Sequence, residues 1–238
     1  MKLRSMAAGV LAALVVTGGA WAGEWIALFD GKTLEGWSVH SGSCTYHVEE
    51  GAIVGTTAEM SKNTFLCTDK EYGDFILELD VKCDPGLNSG IQIRSTIADR
   101  ELAFTFLAKQ GTVRTVVLPP DRVYGYQIEI ADGESGMCGG VYDEARRFYF
   151  LDDLSDAPEA QKAFKNGEWN TYRIQCRGDR IQTWVNDVPC ADVRDAVTLR
   201  GVIALQVHGQ VSLGGTKIYD DYVERKVRFK NIRIQELR

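Results

Sequence analysis

The sequence predicts an all-β sandwich of one domain, and three observations carry that expectation. Short runs alternate apolar with polar side chains, the period of two that gives a strand one buried and one polar face. Gly, Asp and Asn punctuate these runs as turn residues do. Helical periodicity is scarce: only "DAPEAQKAF" (156–164) suits a short helix, opened by Ser155 or Asp156 with Pro158 in its first turn.

From the N-terminus, residues 1–22 form a separate unit. A basic start (Lys2, Arg4), an apolar run from Met6 to Val16 and Ala20-Trp21-Ala22 before Gly23 follow the order of a secretory signal peptide. The run is too short for a membrane span, so a soluble exported domain over 23–238, periplasmic or secreted, is expected. Without Lys2 and Arg4 the chain holds 25 basic against 33 acidic residues, a net charge near −8. That balance, with no basic stripe, argues against nucleic acid and anionic membranes as partners. Six cysteines remain (Cys44, Cys67, Cys83, Cys138, Cys176 and Cys190). An even count in an oxidising compartment points to structural disulfides, with fifteen complete pairings open. Cys176 with Cys190 is disfavoured: on the outer strands of a three-strand meander they lie roughly 9–10 Å apart, beyond a bridging range of about 7 Å. No zinc spacing is seen, so no metal site is expected.

The strand candidates follow in order: "TYHVEEGAIVG" (45–55), "FILELDVKC" (75–83), "SGIQIRS" (89–95), "GYQIEIAD" (125–132), "NTYRIQC" (170–176), "IQTWVND" (181–187), "GVIALQV" (201–207) and "VRFKNIRI" (227–234). Between them, 97–120 reads as partly helical or an irregular excursion ending at Pro119-Pro120. At this size a jelly roll is the economical topology.

Three of these strands are unusual on their polar side. "SGIQIRS" sets Gln92 and Arg94 opposite Ile91 and Ile93; "GYQIEIAD" sets Gln127 and Glu129 opposite Tyr126, Ile128 and Ile130; "GVIALQVHG" sets Gln206 and His208 opposite Leu205 and Val207. A merely wet face accounts for alternation, but it tends toward Thr, Ser, Lys and Glu. Amides that donate and accept, with an Arg, suit polyhydroxylated ligands, and Glu129 with His208 offers an acid/base pair. By contrast, Glu78, Asp80 and Lys82 of "FILELDVKC" read as a solvated ladder. Trp184, sharing a face with Gln182 and Asn186, is either a sugar-stacking platform or packing. His40 and His47 lack a partner pattern, and no nucleophile elbow or phosphate loop is present.

Seven pieces in order, "WIALFDGKTLEGW" (25–37), "NSGIQIRS" (88–95), "YGYQIEIAD" (124–132), "GGVYD" (139–143), "GEWNTYRIQCRGDRIQTWVND" (167–187), "GVIALQVHG" (201–209) and "VRFKNIRI" (227–234), resemble the 3-keto-disaccharide hydrolase domain family. The resemblance implies a concanavalin A-like jelly-roll sandwich in an exported protein acting on oxidised sugars. It carries the family's polar strand residues onto Asn88, Arg94, Gln127, Glu129, Gln206 and His208, and puts Tyr142 in a loop beside them. Lys230 stands where the motif usually shows arginine.

Such chemistry starts from the acidity that a C3 ketone gives the C2 proton. A base removes it, an enolate forms, the C1 group leaves by elimination, and water adds. The expected roles are His208 as base, Arg94 as enolate stabiliser, and Glu129 as orienter or acid, with the His208 and Glu129 roles exchangeable. Asn88, Gln92, Gln127, Tyr142, Gln206 and Trp184 are expected to bind substrate. No cofactor is called for, with a divalent cation left open. The rivals are a non-catalytic carbohydrate-binding module on the same sandwich, a glucanase, which would want carboxylates at alternate positions that "QIEIAD" lacks, and a calcium-dependent adhesion domain using Asp152 and Asp153.

Overall fold

The computed structural model describes residues 22–107, 111–211 and 222–237; the signal-peptide expectation over 1–22 lies outside them except for its last residue. Two antiparallel sheets lie face to face as a concanavalin A-like jelly roll. The first runs β15 (Val188–Arg194), β14 (Arg180–Val185), β13 (Asn170–Arg177), β6 (Phe75–Cys83), β17 (Lys226–Leu237), β4 (Ala52–Thr56) and β3 (Thr45–Glu49), with β1 (Ala22–Ala27) on the far half of β17. The second runs β12 (Phe150–Asp152), β11 (Val141–Glu144), β10 (Val123–Ile130), β7 (Ser89–Ile97), β16 (Gly201–Val207), β5 (Thr64–Tyr72) and β2 (Trp37–His40). Strands distant in sequence pair at the centre, β6 with β17 and β7 with β16, so neither sheet forms without the other half of the chain.

The inward faces are the apolar half of each alternation. Leu77, Leu79, Val81, Ile174, Phe229 and Ile234 from the first sheet meet Leu66, Ile91, Ile93, Ile128 and Leu205 from the second, all essentially without exposure. At about 25 cal/mol per Å² this burial drives folding. The outer face of the first sheet is polar and wet, as alternation predicts. That of the second sheet is not: all of β16, and β7 from Ser89 to Ser95, is buried. There Phe65, Cys67, Val123, Val202 and Ala204 form a second small apolar cluster beside the glutamines.

Three expectations are corrected. The helix over 156–164 shrinks to one 3-10 turn, Ala160–Lys162; nine residues are too few to hold a helix unaided, and Ala160, Ala163 and Phe164 instead pack into the core. The 97–120 excursion is a hairpin, β8 (Leu102–Leu107) with β9 (Val113–Leu118). Phe104 and Phe106 anchor it at ring distances of 5.2 and 6.1 Å from Tyr124 and Phe148. All six cysteines are free thiols, five of them buried. They serve as small apolar side chains, and burial pushes the Cys138 and Cys176 thiols up to about 12.

Candidate functional site

The site grows from one relay of side-chain amides on the outer face of the second sheet. Ser95 Oγ donates to Gln92 Oε1 (2.8 Å), Gln92 Nε2 to Gln127 Oε1 (2.7 Å), and Gln127 Nε2 to Glu129 Oε2 (3.0 Å). Gln206 Nε2 joins at Gln127 Oε1 (2.8 Å), and Asn88 Nδ2 donates to Glu129 Oε1 (2.5 Å). Strand register sets this order: Gln127 lies opposite Gln92, and Glu129 opposite Gly90. Gly90 leaves the room, since a Cβ there would sit 2.4 Å from Cδ of Gln127. Every donor in the relay points toward Glu129, so its carboxylate is the terminus.

Two effects contend at that carboxylate. Burial raises its pKa, the amide hydrogen bonds lower it, and the charge of Glu144 raises it again; the outcome is about 7. His208 follows β16 directly and is lowered, first by burial, with Glu144 opposing and Arg122 adding to the effect. The same surroundings push the Tyr142 hydroxyl up, chiefly through burial and then through Glu144 and Glu129. All three groups thus feel the charge of Glu144.

Glu144, Arg122 and Asn63 are the members that sequence reading missed. Arg122, just ahead of β10, pairs with Glu144 while its guanidinium lies 5.1 Å above the Phe65 ring. Asn63 Nδ2 donates to Glu144 at 3.2 Å and its Oδ1 accepts from the Gly209 amide at 2.9 Å, tying the His208 turn to the pair. The signal for Glu144 was present: in β11 it stands two residues from Tyr142 and so shares its face. Arg122 and Asn63 sit outside any alternating run and left none.

Three polar atoms here are buried without a hydrogen-bond partner among the described residues: Nδ1 of His208, Oε1 of Gln206 and Nε of Arg122. Orphaned buried groups are rare in folded proteins. The cleft beside His208 and Asn88, walled by Gln210, Tyr222 and Arg225, is narrow at about 20 Å³.

The expected residues therefore divide. Asn88, Gln92, Gln127, Glu129 and Gln206 form one connected network, with Tyr142 on strand β11 directly opposite Gln127 rather than in a loop. His208 has no hydrogen bond to this network among the described residues; it shares with Glu129 only the charge of Glu144. Arg94 does not join. A bulge in β7, where both neighbouring strands skip register, puts Arg94 at φ 47° and swings it out of the alternation. Fully buried, it donates Nε to Gly73 O (2.8 Å), Nη1 to Gly178 O (2.6 Å) and Nη2 to Asp74 (2.8 Å). It clasps the β5–β6 turn, where the chain crosses between the sheets, to the β13–β14 turn of the first sheet. Trp184 is also elsewhere, on the outer face of the first sheet with Arg173 stacked at 5.9 Å. His40 bridges Ser38 and Asp121, and His47 meets Glu49 on the surface. Among the described residues no group of three His, Cys, Asp or Glu side chains is gathered to hold a metal ion, and no helix is long and apolar enough to cross a membrane.

A jelly roll whose outer sheet face closes over an amide relay and a carboxyl near neutrality is the framework of a carbohydrate-related protein. Residues 24–235 match the family described as the 3-keto-alpha-glucoside-1,2-lyase-like domain, and the chain belongs to it. Among solved structures it is similar to a candidate glycosyl hydrolase from Parabacteroides distasonis at 17% identity and a TM-score of 0.55, covering 90% of this chain and 94% of that one. It is similar to the carbohydrate binding module CBM66 from Bacillus subtilis at 15% identity and a TM-score of 0.54, covering 84% of this chain and 96% of that one. A Bacillus subtilis protein with a galectin-like fold gives 10% identity and a TM-score of 0.56, covering 92% of this chain and 97% of that one. At these identities the likeness is one of fold. Comparison with curated proteins gave no match.

Proposed function

We propose that this protein is an exported enzyme that cleaves the glycosidic bond of 3-keto-glycosides by proton abstraction at C2, elimination and hydration. One observation carries the reading: burial brings Glu129 to about 7 while holding His208 in its neutral form, on one closed face rich in unpartnered polar atoms. A base held neutral and an acid titrating near 7 are what the reaction needs, whereas a module that only binds sugar has no use for them.

In this reading neutral His208 takes the C2 proton, and the electron pair delocalises onto the C3 oxygen as an enolate. Arg122 replaces Arg94 as the group facing that oxygen, because its Nε lacks a partner among the described residues and its charge is held in place by Glu144. Glu129 in its protonated form gives its proton to the departing C1 oxygen as the C1–O bond breaks, leaving a C1–C2 double bond. Water then adds at C1 and C2 is reprotonated, so the balance is hydrolysis. Asn88, Gln92, Gln127 and Gln206 bind the ring hydroxyls and fix Glu129, with Tyr142 beside them.

The test incubates the mature protein with a 3-keto-glucoside and with its unoxidised parent in D2O, with and without chelator. Cleavage of the oxidised sugar alone, with deuterium entering C2, supports the proposal. Cleavage of the parent, or release without C2 deuterium, overturns the mechanism, and binding without cleavage makes the chain a binding module. Export is tested by N-terminal sequencing of protein recovered outside the cytoplasm, which should begin at Gly23.

A further inference from the structure

The outer face of the first sheet carries a feature that the chemistry at Glu129 does not use. One row of side chains crosses five strands there: Trp184 on β14 faces Arg173 on β13, Arg173 faces Glu78 on β6, and Glu78 faces Arg233 on β17. Arg233 in turn faces Ala27 on β1, two residues from Trp25. With strands spaced at about 4.8 Å, the row spans roughly 19 Å from tryptophan to tryptophan. A third tryptophan, Trp169, precedes β13 on the same face.

Each ring is held by a cation. Arg233 lies 4.5 Å above Trp25, Lys230 lies 4.0 Å from Trp169, and Arg173 is 5.9 Å from Trp184. Trp25 and Trp169 nonetheless stay 37% exposed, uncommon for so large an apolar side chain. At a bulge in β17, with Asn231 at φ 53°, the same face holds a hollow of about 470 Å³ walled by Phe29, Glu78, Asp80, Thr171, Asn231 and Arg233, the last being the cation on Trp25. Its polar groups are already balanced. Glu78 pairs with Arg173 and Arg233, and Asp80 accepts from Thr171 Oγ1 (2.8 Å) and Asn231 Nδ2 (2.6 Å).

We propose that this face is a second carbohydrate-binding surface, for a neutral oligosaccharide of gluco-configured units, separate from the closed face around Glu129. Such sugars present an apolar face of axial hydrogens that packs on an indole ring and a rim of hydroxyls that reaches spare lone pairs on Glu78, Asp80 and Asn231. Paired charges leave little net field, which disfavours an ionic partner, and rings fixed beforehand lose little freedom on binding. The span calls for an oligosaccharide rather than one sugar. On this reading the protein holds a polymer with one sheet and works with the other.

The experiment titrates the full protein with cellohexaose, followed by calorimetry, using Trp25→Ala, Trp169→Ala, Trp184→Ala and Glu129→Gln as separate variants, each shown to be folded by a single cooperative unfolding transition. The expected result is saturable binding by the wild type, affinity lowered about tenfold or more in at least two tryptophan variants, and binding retained by Glu129→Gln. Cellohexaose that fails to bind at millimolar concentration overturns the proposal. So does binding that survives all three tryptophan changes, or that is lost in Glu129→Gln, which would assign the sugar to the face already described.

Discussion

Replacing Glu129 by glutamine removes a buried carboxyl that burial pushes up to about 7, and it separates electrostatics from packing. The carboxyl moves from 4.5 to about 7 on folding because burial outweighs two amide donors. At 1.36 kcal/mol per unit, that is on the order of 3 kcal/mol against the ionised form. Between these two values the folded state binds more protons than the unfolded, so this group's contribution to stability falls as pH rises from 4.5 through 7. Below 4.5 both states are protonated and the contribution is constant. Glutamine is nearly isosteric, and rotation of the Asn88 amide lets Oδ1 accept where Nδ2 had donated. Urea unfolding of both proteins at intervals from pH 4.5 to 8.5 reads the difference directly. The variant should gain about 3 kcal/mol on the wild type across that range. Stability curves that run parallel would refute the claim that burial sets the state of Glu129.

Arg94→Ala should lower stability by about 3 kcal/mol or more, seen by denaturant titration, because it orphans the Gly73 and Gly178 carbonyls and unpairs Asp74; the folded fraction should retain wild-type turnover of 3-keto-glucoside. Gly90→Ala should displace Gln127 from Glu129 and cut kcat about tenfold or more with a smaller change in KM, whereas an unchanged kcat would detach the relay from function. Arg122→Met leaves Glu144 buried without its cation and should cost about 3 kcal/mol or more by denaturant titration. A reducing agent should leave the melting midpoint unmoved, since all six cysteines are free; a fall of several degrees would mean bridges.

Much of the sandwich was legible because alternation reports which side of a strand faces the core, and Leu77, Ile91, Ile128 and Leu205 obey it. The same rule explains the failure at Arg94. It assumes an unbroken period of two, and one extra residue in β7 sends the side chain away from Gln92. Alternation also cannot tell which sheet a strand joins, and Trp184 therefore fell on the opposite layer. Nor does it report what covers a polar face, so the closure of Gln92 and Gln206, and the shifted titration of Glu129 that follows, had no signature. Glu144 and Arg122 come together only when β11 and the approach to β10 are brought side by side. The cysteines were judged by compartment, yet their places are set by size and apolarity within the sheets.

The most direct measurement is the pH dependence of kcat/KM on a 3-keto-glucoside for the wild type, His208→Ala and Glu129→Gln, each shown to be folded. The account predicts a bell for the wild type whose limbs report His208 and Glu129, and a loss of about 100-fold or more in each variant with the matching limb abolished. Wild-type turnover with an intact bell in both variants would contradict it.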